Sequence, residues 1–401
     1  MSCESGSVIR LARITALFAL LQLAACVAAP PQPDPAPAPA PAPVEAPPSS
    51  PPPKPPAPPQ PDKSHYRLSI AAVGDMMIGT DYPQNHLPDD DGDSFLAAVT
   101  PILSAADLAF GNLEGVLLDG GEPGKKCSNP AACYLFRSPT RYADHYRAAG
   151  FDVLSLANNH ARDFGEEGRS SSMQAIAARG MHHSGREGDF ASLVVNDLKV
   201  AVLAFAVTKN SNMLLDYENA FTSVAHAAAN HDVVVVSFHG GAEGIDHMHI
   251  PFAEEEYYGE PRGDVVWFSR GVVDAGADLV IGHGPHVVRA MERYKNRLIA
   301  YSLGNFATYY GISVAGLKGI APILTVTLDG TGAFLEGEIV STKQVRPAGP
   351  SIDAAQRALQ KIRQLSIDDF GNPGLLFTSD GSILPTKRGD ITLHQLVVAP
   401  D

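Results

Sequence analysis

The residues of this chain that could do chemistry follow short apolar runs. Carboxylate, amide and imidazole side chains come directly after five such runs: Asp75; Asn112 and Glu114; Asn158, Asn159 and His160; His239 and Glu243; His283 and His286. Taken one at a time, such residues are typical of turns and helix caps. Taken together, they match the nitrogen and oxygen ligands of a divalent metal such as Mn, Zn, Fe or Mg. We therefore predict a site for one or two divalent ions.

The chemistry expected of such a site is hydrolysis. Two ions bridged by a carboxylate can hold a phosphate group and activate a water molecule. Glycines adjoin four of the five groups, and glycine lets the backbone turn sharply and come close to an ion or a phosphate. Ligands of open α/β sheets collect at the carboxyl ends of the strands. The five apolar runs are therefore predicted to be strands whose carboxyl ends converge.

The hydropathy pattern alternates short apolar strands with helical segments. Strands are predicted over residues 67–73, 107–110, 152–157, 199–206, 232–238, 278–281, 298–302 and 322–328. Helices are predicted over residues 94–104, 139–149, 167–179, 218–229, 262–275 and 352–365. This alternation indicates an α/β fold with a largely parallel sheet covered on both faces. Hairpins at 193–206 and 287–302 predict a second, partly antiparallel sheet that joins the first.

The N-terminal part of the chain is typical of an exported lipoprotein. Residues 1–25 are predicted to be a signal peptide, because Arg10 and Arg13 precede an apolar run too short to span a membrane. The run ends in "LAAC", which resembles a lipobox and predicts lipidation of Cys26; an ordinary secretory signal is the alternative. Residues 26–64 hold more than half of the 33 prolines and predict an extended tether. We expect an exported, lipid-anchored protein on the periplasmic face of the outer membrane or on the cell surface.

The spacing of two cysteines predicts a disulfide. Cys127 and Cys133 are six residues apart, which suits a small disulfide loop in an oxidising compartment. Half of a zinc site is the alternative, but no further ligands lie nearby in the sequence.

The formal net charge of −14 argues against nucleic acid as a partner, because phosphate backbones need a basic surface.

The motifs together resemble a known family. "VGDMMIG", "GNLEG", "LANNHARDFG", "HGGAE", "GHGPHV" and "YSLGNF" occur in an order similar to that of the bacterial capsule synthesis CapA family. The resemblance covers roughly residues 66–345. It implies a four-layer α/β/β/α sandwich of the metallo-dependent phosphatase type and a link to poly-γ-glutamate capsule production.

The resemblance also implies roles for individual residues. The implied metal ligands are Asp75, Glu114, Asn159, His239, His283 and His286. Glu114 takes the bridging position, and His160 takes the place of the histidine that protonates the leaving group or steadies the transition state. Residues expected to contact substrate or to support the ligands are Asn112, Asn158, Arg137, Glu243 and Asn305. Structural alternatives stay open for this last group: loop support for Asn158, pairing with an acid for Arg137, orientation of His239 for Glu243, and packing for Asn305.

The first motif departs from the usual Asp-x-His pattern, because it reads Asp75-Met76-Met77. A thioether is a poor ligand for hard ions, so Met77 is expected to pack. The first ion would then have Asp75, Glu114 and His286 as protein ligands, with water completing the shell. Glutamate in place of aspartate at 114 also lengthens the bridge by one methylene. A one-metal site, or a site that binds without turnover, stays open.

These observations predict four segments: a lipoprotein signal peptide at 1–25, a lipidated cysteine and tether at 26–64, a CapA-like domain at 65–345, and a C-terminal extension at 346–401 that packs on it. The leading hypothesis is an envelope lipoprotein linked to capsule synthesis that acts as a metal-dependent hydrolase. The alternatives are a non-catalytic metal-binding component of a polymer export or anchoring complex, and a generic periplasmic phosphoesterase. Expected partners are the membrane, through the lipid anchor, an acidic envelope polymer or phosphoester substrate, and capsule-synthesis membrane proteins.

Overall fold

A computed structural model describes residues 62–125 and 134–386. These residues belong to one unit of the chain, 60–401. The predicted signal peptide, Cys26 and nearly all of the tether lie outside the described residues, as do Cys127 and Cys133. Within the described ranges, no helix combines the length and the apolar character needed to cross a membrane.

The larger of two main sheets has ten strands. Its parallel strands are β1 (Arg67–Met77), β2 (Leu108–Leu113), β5 (Val153–Ser155), β6 (His182–Ser184) and β15 (Asn305–Thr308). Its antiparallel strands are β16 (Ile320–Asp329), β17 (Phe334–Gln344), β18 (Pro350–Ile352), β19 (Leu375–Phe377) and β20 (Ser382–Pro385). The order is β19-β20-β17-β16-β1-β2-β5-β6, with β15 beside β1 and β18 beside β17.

The second main sheet has six strands. Their bounds are β7 (Ala191–Val195), β8 (Leu198–Ala206), β9 (Val233–His239), β12 (Leu279–His283), β13 (Met291–Tyr294) and β14 (Arg297–Ala300). They lie in the order β13-β14-β12-β9-β8-β7. The four inner strands are parallel, and the antiparallel edge strands β7 and β13 confirm the two predicted hairpins. Two short ribbons pair β3 (Val116–Leu117) with β4 (Arg137–Ser138) and β10 (Glu255–Tyr257) with β11 (Glu260–Gly263).

The two main sheets pack face to face. Leu68 and Ile70 of β1 share one buried apolar cluster with Val200 and Val202 of β8. Because side chains alternate along a strand, Ala71, the residue after Ile70, faces the other way, into a second cluster that includes helical residues. One face of the larger sheet therefore packs against the second sheet, and its other face packs against helices.

Helices cover the outer faces. The helices on the larger sheet are α1 (Thr100–Leu103), α2 (Ala143–Ala148) and α3 (Gly165–Ala178). The helices on the second sheet are α4 (Tyr217–Ala228) and α5 (Val265–Asp274). A sixth helix, α6 (Arg357–Phe370), packs against strands of both sheets. Short 3-10 helices span Thr140–Tyr142, Ile245–His247 and Gly316–Gly319. The predicted α/β/β/α sandwich is confirmed.

Three predicted helices have different bounds in the structure. Only Thr100–Leu103 of the predicted helix 94–104 is α-helical, because Pro101 has no N–H and can occupy only the first helical turn. The predicted helix 262–275 begins at Val265, since Arg262 belongs to β11 and Asp264 caps the helix by accepting hydrogen bonds from two backbone amides. The predicted helix 352–365 runs from Arg357 to Phe370. Past residue 345, the chain adds β18, α6, β19 and β20, and its three strands join the larger sheet.

Candidate metal centre

The carboxyl ends of the parallel strands in both sheets meet at one place. Asp75 of β1 is in register with Asn112 of β2 and with Asn305 of β15. In the other sheet, His239 at the end of β9 is in register with His283 at the end of β12. Gly74 permits this convergence, because a Cβ atom there would lie 1.9 Å from a backbone carbonyl oxygen of the β15 approach.

Five of the six predicted metal ligands contact one another at this junction. The Oδ2 atom of Asp75 lies 3.0 Å from Nδ1 of His286, and its Oδ1 atom lies 3.4 Å from Nδ1 of His283. The Oε1 atom of Glu114 lies 3.6 Å from Nε2 of His286 and 4.0 Å from Nε2 of His239. One potential ligand atom from each of Asp75, Glu114 and His286 lies within 4.8 Å of the others. Residues from three strands and two following loops therefore form one cluster.

Several polar atoms of this cluster are buried without a well-aligned hydrogen-bond partner among the described residues. They are Oδ2 of Asp75, both carboxylate oxygens of Glu114, both ring nitrogens of His239 and of His283, and Oδ1 of Asn159. Each such atom costs about 1–3 kcal/mol when it has no partner. Carboxylate, imidazole and amide donors with free lone pairs are what a divalent ion requires. The donor set therefore fits one or two metal ions.

The electrostatics of the cluster also favour a cation. Burial alone would raise the pKa of Asp75, but the close imidazole rings of His283 and His286 outweigh burial and hold that pKa well below its usual range. Burial, followed by the charge of Asp75, raises the pKa of Glu114 well above its usual range. Burial would lower the pKa of His286, but the neighbouring carboxylates raise it to about 10. Burial lowers the pKa of His239 well below normal. A divalent ion would relieve the repulsion between the two adjacent carboxyl groups.

The amides of two neighbouring strand ends hold the carboxylate and the following loop. Asn112 donates from Nδ2 to Oδ1 of Asp75 at 2.9 Å. Asn158 donates from Nδ2 to Oδ1 of Asn112 at 3.0 Å and to the carbonyl of Leu113 at 2.9 Å. Its Oδ1 accepts the backbone N–H of His160 at 3.0 Å. Asn158 therefore supports the loop, whereas Asn159 keeps a buried Oδ1 that has no partner within the described ranges.

Asn305 and Glu243 both approach His286. The Oδ1 atom of Asn305 lies 2.9 Å from Nδ1 of His286, and its amide nitrogen donates to three backbone carbonyls. The Oε2 atom of Glu243 lies 4.0 Å from Nε2 of His286, and its Oε1 atom lies 3.2 Å from a guanidinium nitrogen of Arg262. Arg262 is buried and also donates to the carbonyl of Gly241 at 2.8 Å. Sequence reasoning did not place this arginine at the site.

His160 forms a pair with an aspartate that sequence reasoning missed. Its Nδ1 atom lies 2.7 Å from Oδ2 of Asp163, which also accepts the backbone N–H of Phe136 at 2.8 Å. Lys125 lies 3.3 Å from the other oxygen of Asp163. Burial lowers the pKa of His160, although Asp163 opposes that shift. The three-residue spacing of His160 and Asp163 in "HARD" is the sequence feature that could have indicated this pair. Only the conformation of the loop shows that the two side chains meet.

The position of the usual histidine of the first motif is filled by an apolar cluster. Met77 is buried and packs with Phe136 and Ile312. The Phe136 ring lies 4.4 Å, centroid to centroid, from the ring of His160. The prediction that Met77 packs is confirmed.

A cleft of about 550 Å³ lies over the cluster. Its lining includes Asn159, His160, Glu243, His286 and the cationic side chains of Lys125, Arg262 and Lys318. The cleft thus reaches the cluster at His286 and Asn159, and it reaches the His160 pair at His160. Its three cationic side chains outnumber the two carboxylates in the lining, Glu243 and Glu260, and this small excess suits an anionic group in a chain that is acidic overall.

Arg137 does not join these residues. Its Nε atom lies 2.6 Å from Oδ1 of Asp81, and its guanidinium donates to the carbonyls of Gly120 and Gly121. Arg137 does not line the cleft, and its Nε and Nη1 atoms donate within the protein. The structure therefore shows the pairing with an acid that was the alternative to a substrate contact.

Comparison with known proteins places the motifs in one family. Residues 69–310 match the model of the bacterial capsule synthesis protein family PGA_cap. The capsule biosynthesis protein CapA of Bacillus anthracis is 28% identical over 62% of this chain and 61% of its own length. The PGA biosynthesis protein CapA of Bacillus subtilis (strain 168) is 28% identical over 60% of this chain and 63% of its own length. The chain spans about three fifths of the length of these curated relatives.

Solved structures give weaker likenesses. A hypothetical protein from Thermus thermophilus matches with a TM-score of 0.43 and 16% identity, covering 69% of this chain and 100% of the other. A purple acid phosphatase from yellow lupin seeds matches with a TM-score of 0.35 and 11% identity, covering 76% of this chain and 56% of the other. At these TM-scores neither structure assigns a function to the chain.

Proposed function

Because the chain belongs to the bacterial capsule synthesis protein family, we propose that it is a metal-dependent hydrolase of the cell envelope that serves capsule synthesis. Its substrate would be a phosphoester, or an amide or ester linkage of an envelope polymer. Poly-γ-glutamate is the first polymer to consider, because a relative from Bacillus subtilis is named as a PGA biosynthesis protein.

One observation carries this proposal: unpartnered, buried donor atoms from distant parts of the chain lie together beneath an open cleft. The donors of Asp75, Glu114, His239 and His283 are buried, and most of them lack a well-aligned partner among the described residues. A purely structural core would bury apolar groups or satisfy its polar ones. A divalent ion accounts for the donors, and the cleft gives substrate a route to it.

The residues can be assigned tasks in hydrolysis. Asp75, Glu114 and His286 would hold one ion, and His239, His283 and Asn159 would complete that shell or hold a second ion. A bound ion would polarise the scissile group and lower the pKa of a water molecule. Asp163 holds Nδ1 of His160, so the other ring nitrogen is left for the cleft that His160 lines. His160 can therefore donate a proton or a hydrogen bond to the leaving group. Lys125 and Lys318 offer positive charge to an anionic substrate.

The second candidate is a non-catalytic metal-binding component of a polymer export or anchoring complex. Met77 favours it, because an apolar cluster stands where the superfamily pattern has a further histidine. Fewer protein ligands would weaken the binding of the first ion and the activation of water. A generic periplasmic phosphoesterase is a third candidate, and the same side chain counts against it.

We further propose that Cys26 is lipidated and that residues 26–64 tether the folded domain to the membrane. The "LAAC" sequence and the proline content support this location. Capsule-synthesis membrane proteins would then be partners. A Cys127–Cys133 disulfide is proposed on the same grounds of export. Metabolic labelling with a fatty acid should mark the parent protein and leave Cys26→Ser unlabelled.

Metal analysis combined with turnover tests the proposed function. The full chain should contain stoichiometric Mn, Zn, Fe or Mg, and His239→Ala should lose both metal and turnover on a panel of phosphoester and γ-glutamyl substrates. His182→Ala is the matched control, because His182 is an exposed histidine of β6. Metal bound without turnover by the parent would support the non-catalytic candidate. Absence of metal from the parent would refute all three candidates that share the metal site.

A further inference from the structure

The β10–β11 hairpin ends in an unusual turn. Tyr257 pairs with Glu260, so Tyr258 and Gly259 form a two-residue loop. Both loop residues have positive φ, 50° at Tyr258 and 80° at Gly259. This conformation favours Asn, Asp or Gly, and a bulky residue there is an outlier that points to a function. Tyr258 is also 91% exposed, so packing does not explain its presence.

The base of this hairpin is fixed to the loop that follows β9. Arg289 is fully buried and makes two hydrogen bonds to the Glu255 carboxylate, at 2.8 and 2.7 Å. Glu255 accepts the backbone N–H of Ala242 at 2.9 Å, and Arg289 donates to the carbonyl of the same residue at 3.0 Å. On the other strand, Arg262 donates to the carbonyl of Gly241. The hairpin is therefore held in a fixed position relative to the metal-binding cluster.

The hairpin gives the cleft an aromatic rim. Tyr257 and Tyr258 both line the cleft, with ring centroids 4.4 Å apart and ring planes tilted by 54°. Tyr134, which is 53% exposed, lines the same cleft from a separate segment of the chain. The carboxylates of Glu243 and Glu260 lie in the same lining. Exposed rings, hydroxyl groups and hydrogen-bond acceptors therefore surround the approach to the cluster.

We propose that the exposed ring of Tyr258, which packs against Tyr257, is a stacking platform for a sugar ring, so that the ligand of the cleft is a glycan or a glycosyl-bearing compound. A pyranose offers an apolar C–H face to a tyrosine ring and hydroxyl groups to the carboxylates of Glu243 and Glu260. A nucleobase could also stack on the ring, but it presents no array of hydroxyl groups to the two carboxylates. Within the proposed function, the platform favours a phosphoester or ester of a glycan over poly-γ-glutamate as the substrate, and only this catalytic consequence rests on that function.

Calorimetric titration of the full chain with neutral tetrasaccharides tests the platform. The probes are chitotetraose, cellotetraose and maltotetraose. Tyr258→Asn removes the ring while suiting the turn, and it should weaken binding of the preferred probe at least tenfold. Tyr258→Phe keeps the ring and should bind within threefold of the parent. Trp267→Ala is the control, because Trp267 is a 61% exposed ring that does not line the cleft, and it should bind as the parent does.

Binding is measured with and without metal, so the result does not depend on turnover. A parent that binds a tetrasaccharide through Tyr258 but hydrolyses nothing would support the platform and leave the hydrolase proposal without support. No binding of any tetrasaccharide, or equal binding by Tyr258→Asn and the parent, would overturn the platform. Tyr258-dependent binding of AMP without tetrasaccharide binding would overturn it in favour of a nucleobase site.

Discussion

Glu114→Gln separates the metal-binding role of the central carboxylate from its role in the fold. The substitution keeps the shape of the side chain and removes its charge. Both carboxylate oxygens of Glu114 are buried and unpartnered within the described residues, and burial beside Asp75 raises its pKa well above the usual range. Without metal, glutamine therefore resembles the protonated acid, and the free energy of unfolding should change by less than about 1 kcal/mol. With metal, a ligand is lost and the ion should bind weakly.

The expected size of the effect follows from linkage. An ion that binds only the folded chain at 100 times its Kd stabilises that chain by about 2.7 kcal/mol. Unfolding entropy of about 2.1 cal/mol/K per residue gives roughly 0.7 kcal/mol/K for a folded region of this size. The parent should therefore gain about 4 °C in Tm on addition of metal, and Glu114→Gln should gain almost nothing.

Differential scanning calorimetry with EDTA and then with excess Mn²⁺ or Zn²⁺ measures both quantities. Glu336→Gln is the matched control, because Glu336 is an exposed glutamate of β17 and should keep the full metal-induced shift. The reasoning is refuted if Glu114→Gln shows the same metal-induced shift as the parent. It is also refuted if the control loses the shift.

Three further substitutions probe the surroundings of the centre. Asp163→Asn should lower turnover at least tenfold while metal content stays stoichiometric, because the amide no longer holds His160 in its orientation; single-turnover kinetics and metal analysis check this. Met77→Leu should cost less than about 1.5 kcal/mol in urea denaturation and leave metal content unchanged, since the side chain packs in an apolar cluster. Glu255→Gln should cost about 3–5 kcal/mol in the same assay, because it leaves Arg289 buried and without its charged partner.

The sequence predicted the candidate ligands better than it predicted the residues around them. Ligands at strand ends follow a topological rule, so Asp75 and His239 could be placed at the carboxyl ends of parallel strands before any coordinates. The short strands β10 and β11 are strands because they pair with each other, and neither has a strong hydropathy pattern. Asp163 and Arg262 were missed because a charged residue in a loop looks the same in sequence whether it meets a partner or solvent. Contacts between residues far apart in the sequence, rather than local propensity, determine the structure at these positions.

Anomalous diffraction from crystals of the full chain grown with Zn²⁺ tests the convergence of the ligands most directly. A zinc peak is expected about 2.0–2.2 Å from oxygen or nitrogen atoms of Asp75, Glu114 and His286. A second peak beside His239 and His283 would indicate a dinuclear centre. Crystals whose zinc peaks all lie on surface carboxylates, with none at the junction of the two sheets, would contradict the account.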